Sequence, residues 1–179
     1  MEIRYVCSEE ERRTDAVLSA VAEKAAKAGI ALAGTVQLAD SDQPQEKCNI
    51  VLGLLPDGAR RNISFPLQPG VTGCRLDAEA LEQAVMVVHD RLAAAQALVV
   101  NKFGKQEAAG RGLVAAISEA CARGLPVLVG VSPEWRDAFL AFAAGEADPL
   151  PAQEDEVLGW LRAACLNTAH ATSKEEVQS

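Results

Sequence analysis

The sequence predicts a three-layer α/β domain with a central, mostly parallel sheet of about five or six strands. Three observations lead there. Of the 179 residues, 49% are hydrophobic but only 4% aromatic, so the core is built from Val, Leu, Ile and Ala, which suits buried parallel strands covered by Ala-rich helices. Short apolar runs alternate along the chain with stretches of helical period. A Pro56-Asp57-Gly58 turn then inserts one antiparallel hairpin.

The elements follow in order. Glu2 to Cys7 reads as a first strand, and Thr14 to Gly29 as a helix with Leu18, Val21, Ala22 and Ala25 on one face and Gly29 as its stop. Ile30 to Leu38 reads as a second strand, followed by a polar connector without period. Cys48 to Leu55 and Arg60 to Leu67 flank the Pro-Asp-Gly turn. Leu76 to Ala95 is a helix with Asp77 at its N-cap and Leu81, Val85, Val88 and Leu92 on one face. The apolar run Ala97 to Val100 is a short buried strand that stops at Asn101; Ala108 to Gly124 is a helix and Pro126 to Val131 a buried strand. Two late helices, Pro133 to Gly145 and Asp155 to Leu166, carry Trp135 and Trp160, expected as lids over one sheet edge. Residues 1–166 thus form one expected domain, and the polar stretch 167–179 a tail expected to be disordered.

Composition narrows the function. A net charge of -8 gives no affinity for a phosphate backbone, so nucleic acid is not an expected partner. Five cysteines without a C-x-x-C pair suggest reduced thiols, no apolar stretch reaches the ~18 residues of a membrane span, and no leader is evident, so the expected setting is cytoplasmic with no membrane insertion. His89 and His170 lie far apart, which does not make a zinc site. Cys74, beside Arg75, reads as a small core residue or as an activated thiol.

In a parallel sheet, ligands bind beyond the carboxyl ends of the strands, here the loops after Cys7, Asn101 and Val131. After Cys7 stands "CSEEERRT", Cys7 to Thr14. Set against a phosphate loop of the form G-x-x-x-x-G-K-[ST], Thr14 matches, Arg13 replaces the lysine and both glycines are missing. Glu9, Glu10 and Glu11 would meet a polyphosphate with like charge; at an effective dielectric of ~20, two unit charges ~4 Å apart repel by about 4 kcal/mol. Two readings stay open: a capping box Ser8-x-x-Glu11 opening the helix, or an altered anion site using Arg12, Arg13 and Thr14.

Three stretches carry a family resemblance: "GCRLDAEALEQA" (Gly73 to Ala84), "VVNKFGKQEAAGRGL" (Val99 to Leu113) and "ARGLPVLVGVSPEW" (Ala122 to Trp135). In their order and spacing the chain resembles a bacterial domain family of unknown function that is similar to small P-loop nucleoside-triphosphatases and often sits beside molybdate-transport genes. The resemblance implies a P-loop NTPase-like fold and a role in bacterial molybdenum handling. In the triphosphatases an Asp-Glu pair at the end of the middle strand handles magnesium and water; Asn101 and Lys102 occupy those positions here. Hydrolysis and bound magnesium are therefore not expected; if the chain is an enzyme, it is a nucleoside-triphosphatase with an altered loop.

The middle stretch is rich in cations around glycines. Asn101, Lys102, Gly104, Lys105, Glu107 and Arg111, with Arg75, Arg13 and Thr14 from other loops, form the candidate ligand-binding set. Arg offers paired donors and Lys a point charge, which suit an oxyanion or a nucleotide phosphate. The alternative is solvated charge beside a stabilising pair such as Arg75 or Arg111 with Glu107 or Asp77. The expected partner is a small anionic ligand, nucleotide or molybdate, with a homo-oligomer left open.

Overall fold

The computed structural model describes residues 2–38, 50–65 and 75–177, and within these the side chains of all but Arg75 and 169–177. The polar connector, Cys48, Gly73, Cys74 and the His170 side chain lie outside the described residues.

Strand β1 (Ile3–Val6) leads into helix α1 (Arg13–Lys27), then β2 (Leu32–Leu38) and the hairpin β3 (Val51–Leu55) and β4 (Ala59–Asn62). A two-residue pair follows, β5 (Ser64–Phe65) and β6 (Arg75–Leu76), then α2 (Ala78–Leu92) and β7 (Ala97–Phe103). The chain continues through α3 (Lys105–Ala108), α4 (Val114–Ala122), β8 (Val127–Val131), a 3-10 turn (Pro133–Trp135), α5 (Arg136–Phe142), β9 (Asp148–Leu150) and α6 (Glu154–Val177).

Seven strands form the main sheet in the order β4-β3-β2-β7-β8-β1-β9, more than the five or six expected. β2–β3 and β3–β4 pair antiparallel, and the other four pairings are parallel. The added edge strand β9 pairs with β1 through Arg4↔Asp148, Tyr5↔Pro149 and Val6↔Leu150; two of its three residues are exposed, so it has no apolar run to announce it. The expected strand Arg60 to Leu67 divides at Ile63, where β5 leaves the main sheet to pair with β6.

Helix faces match their periodicity. Leu18, Val21, Ala22 and Ala25 are all buried, and the backbone closes α1 with Gly29 at φ 80°. Asp77 caps α2, its Oδ1 accepting from the Ala80 N–H at 3.0 Å. One face of the sheet buries Val88, Leu92, Ile117 and Phe139 beneath α2, α4 and α5. The other buries Val17, Leu18 and Val21 of α1 with Val157 and Leu161 of α6. A third cluster joins Leu52, Leu54 and Ile63 to Leu81 and Ala84. Trp135 packs against the first cluster and Trp160 against the second, so the two do not cover one edge. With no Gly or Pro after Asn167, α6 carries its helix on to Val177. Among the described residues, no helix is long and apolar enough to cross a membrane.

Candidate functional site

The strand-end rule leads to a cavity of about 330 Å³. Its wall takes Ser8 to Arg12 from the loop after β1, Thr14 and Asp15 from the first turn of α1, Asn101 and Lys102 from β7, and Gly130 to Pro133 from the end of β8. β7, β8 and β1 are consecutive in the sheet, so their carboxyl ends open at one place.

The loop after β1 does not form the capping box that its sequence allows. Ser8 Oγ accepts from the Glu10 N–H at 3.1 Å, a local turn, and the Arg13 N–H donates to the Glu10 carbonyl at 3.2 Å. The chain turns there before any helix begins. The helix starts only at Arg13, behind Arg12, and no side chain caps it. Arg12 stands where a phosphate loop has its second glycine, and it holds the left-handed conformation that glycine favours, φ 59° and ψ 4°. A non-glycine residue there costs about 1–2 kcal/mol, and the loop takes this one left-handed turn without a glycine. Cys7 stands at the first glycine's position; burial pushes its thiol up, with Arg136 pulling it down and Glu9 adding to the rise.

The β7 residues are held differently from the expectation that the strand stops at Asn101. It runs to Phe103, and its register with β8 slips between Val100 and Phe103, where two residues of β7 face one of β8. Such a bulge admits polar residues without ending the strand. Asn101 is buried, and its Oδ1 accepts from the Thr35 hydroxyl of β2 at 2.7 Å, just beyond the last ladder pair between those strands, Gly34↔Val99. Part of Asn101 is thus committed to the sheet. Lys102 is exposed on the cavity wall. Gly130 is required beneath it, because a Cβ there would run into the Asn101 carbonyl oxygen and, at 2.8 Å, Leu18 Cδ1.

The structure divides the predicted set. Asn101, Lys102 and Thr14 share the cavity with Arg12. Arg13 turns away, its Nε donating to the Ala152 carbonyl at 3.0 Å. Gly104, Lys105, Glu107 and Arg111 lie in and after α3 and do not line the cavity. The pairing of Glu107 with an arginine is also replaced. Glu107 is buried, its Oε2 accepting from the Gly104 N–H at 3.1 Å and its Oε1 from the Leu113 N–H at 3.3 Å, while the exposed Arg111 donates from Nε to Gln106 Oε1 at 2.9 Å. Gly110 and Gly112, at φ 74° and 61°, separate α3 from α4, so the expected single helix from Ala108 begins only at Val114. Arg75 lies in β6, opposite Phe65. His89 is on the surface, with Nδ1 3.3 Å from Glu119 Oε2.

Asp15, Gly130 and Ser132 are cavity residues that sequence reasoning passed over. Asp15 reads as an ordinary acidic residue of a first helical turn, and Ser132, though in the loop after Val131 and within the stretch Ala122 to Trp135, is a small neutral residue that nothing singles out there. Burial pushes the Asp15 carboxyl above its ordinary 3.8, with Lys102 and then Arg12 pulling it down. A carboxyl with a raised folded pKa binds its proton more tightly in the folded state, so its contribution is best below 3.8 and is lost as pH rises through the raised value. Asp15→Asn is therefore expected to melt above the wild type at neutral pH. The gap should close below pH 3.8, which melting curves for both proteins over a pH series will check.

Four carboxylates (Glu9, Glu10, Glu11, Asp15) and two cations (Arg12, Lys102) line the cavity. Among the described residues, no three His, Cys, Asp or Glu side chains converge as a metal-holding group.

Residues 3–160 match the family described as "Protein of unknown function (DUF2478)". The chain is similar to the molybdenum import ATP-binding protein ModC 2 of Bradyrhizobium diazoefficiens, 33% identical over 149 residues, which are 83% of this chain but 17% of that protein. Among solved structures it resembles THEP1 from the hyperthermophile Aquifex aeolicus, with a TM-score of 0.60 and 11% identity over 89% of this chain and 95% of that one. It also resembles a human cancer-related nucleoside triphosphatase, with a TM-score of 0.59 and 12% identity over 91% and 95%. At such identities the likeness is one of fold. The chain belongs to the DUF2478 family and has a P-loop NTPase-like fold.

Proposed function

We propose that this chain is a non-hydrolysing P-loop NTPase-like domain that binds an oxyanion or a nucleotide phosphate in the cavity at the ends of β1, β7 and β8. One observation carries the reading: Arg12 keeps the left-handed turn of a phosphate loop in front of a helix that no side chain caps. The first N–H groups and the positive end of the α1 dipole suit an anion. Thr14 adds a hydroxyl, and Arg12 and Lys102 supply charge. Glu9, Glu10 and Glu11 oppose a polyphosphate more than a single tetrahedral group.

Hydrolysis lacks its parts. Phosphoryl transfer depends on a metal, a lysine and a residue that orients the nucleophile. Asn101 and Lys102 stand in place of carboxylates, and Arg13, in place of the lysine, donates to a backbone carbonyl instead. A role in molybdenum handling rests on the name of the Bradyrhizobium relative, of which this chain spans 17%.

The test is a thermal-shift panel of phosphate, sulfate, molybdate, tungstate, ATP and GTP, the nucleotides with and without magnesium. A ligand at ~100 times its Kd adds about 2.7 kcal/mol, or about 5–10 °C for a chain of this size. Oxyanion shifts with background ATP turnover support the proposal, and a molybdate shift no larger than that of sulfate ends the molybdenum role. A magnesium-dependent turnover on the order of 1 s⁻¹ makes the chain a triphosphatase with an altered loop. A flat panel leaves an interaction protein that has lost its ligand.

A further inference from the structure

We infer that Ser132 is a ligand-contacting residue of this cavity, its hydroxyl donating to an oxygen of the bound anion. The inference rests on the anion-binding reading and extends it to a residue outside the cationic set, in the loop after Val131. Ser132 follows the last residue of β8 and lines the cavity beside Gly130 and Val131. Its Oγ is buried and has no hydrogen-bond partner among the described residues. Native structures leave few buried side-chain polar atoms in this state, and a functional partner is one of the recognised explanations.

The local backbone explains why the hydroxyl is free. Ser132 is the N-cap of the 3-10 turn Pro133–Trp135, a position where a serine normally accepts from an N–H of the first turn. Here it makes no such bond. Pro133 has no N–H, and the Trp135 N–H donates to the Ser132 carbonyl at 2.9 Å. The hydroxyl is therefore released from the backbone.

Its surroundings define what it can bind. Across the cavity, Asn101 Oδ1 already accepts from Thr35. Lys102 is a donor without a lone pair to offer. Glu9, Glu10 and Glu11 are exposed to water. Beside the half-buried Asp15 carboxyl, whose proton is held more tightly by burial, a neutral hydroxyl and an ammonium in one cavity suit a group with several acceptor oxygens, which a tetrahedral oxyanion or a terminal phosphate supplies. Ser132 would complete a contact set from three elements: α1 through Thr14, β7 through Lys102, and the end of β8.

The experiment measures Kd for orthophosphate, sulfate and molybdate, and the melting temperature without added anion, for the wild type, Ser132→Ala and Ser132→Thr. Ser132→Ala is expected to fold with a melting temperature equal to or above the wild type, because it removes an orphaned polar atom, and to bind the anions roughly tenfold more weakly. Ser132→Thr keeps the hydroxyl and should keep most of the affinity. Two results would each overturn the inference: a Ser132→Ala protein that melts well below the wild type, which reveals a structural partner, or one that binds as tightly as the wild type, which leaves the hydroxyl to water. Unchanged affinity in Ser132→Ala with clear binding by the wild type defeats the Ser132 assignment alone. A wild type that binds none of the three anions defeats the oxyanion reading, and the assignment with it.

Discussion

Gly34→Ala is expected to abolish the fold or to lower its melting temperature by about 10 °C or more. Gly34 sits in β2 at φ 121°, a conformation that alanine rarely adopts. A Cβ there would fall on the carbonyl oxygen of Val99, with Val99 C and N at 2.7 and 2.9 Å. These are backbone atoms of a paired strand and cannot rotate aside. Gly34 is also where the sheet changes character: it pairs with Val99 of β7 in parallel and with Leu55 of β3 in antiparallel. The parallel pairing of β2 with β7 covers only Leu32, Ala33 and Gly34. Strain here opens the seam of the sheet between β2, which carries the hairpin, and the parallel strand β7. The cost belongs with the exceptional single substitutions, above about 4 kcal/mol, against a typical total of about 5–15 kcal/mol. Circular dichroism melting of the variant is the check, and a melting temperature within ~2 °C of the wild type would contradict the account.

Glu107→Ala is the second large effect, expected at about 2–4 kcal/mol of lost stability. The carboxylate accepts from the Gly104 and Leu113 N–H groups, bracing both ends of the α3 loop. Each buried donor left without a partner costs about 1–3 kcal/mol, offset in part by removing a buried charge. Glu107→Gln should recover little, since its amide nitrogen would face one of the two donors. Because Glu107 is not on the cavity wall, the folded variant should respond to orthophosphate like the wild type. Chemical denaturation gives the stability and a thermal shift the response. A variant of normal stability that has lost its anion response would return Glu107 to the ligand site.

The alternation of strands and helices, the faces of α1 and α2 and the hairpin at Pro56-Asp57-Gly58 were legible because period and turn chemistry are local. The missing glycines of the phosphate loop were legible too, but their consequence was not. Sequence marks a positive φ by glycine, and Arg12 adopts one without it. The bulge in β7 hid the strand's continuation, since Asn101 and Lys102 look like an ending. The cationic stretch looked like one site because its residues are close in sequence. The turn through Gly110 and Gly112 and the inward Glu107 separate most of it from the cavity. The loop after Val131 was legible as a ligand place, but Ser132 within it was not: whether a hydroxyl is satisfied is known only once its neighbours are in place.

Helix α1 packs on one face of the sheet beside α6, burying Val17, Leu18, Val21, Ala22 and Ala25, with Lys24 tied to Glu154 at 2.7 Å. A helix gripped along its length does not reorient when something arrives at its end. The donors of its first turn are therefore preorganised, and association there spends little entropy on ordering the protein. If an anion binds there as proposed, little apolar surface should change its exposure, and the heat-capacity change read by calorimetry should be small, the thermodynamic opposite of a site that closes around its ligand.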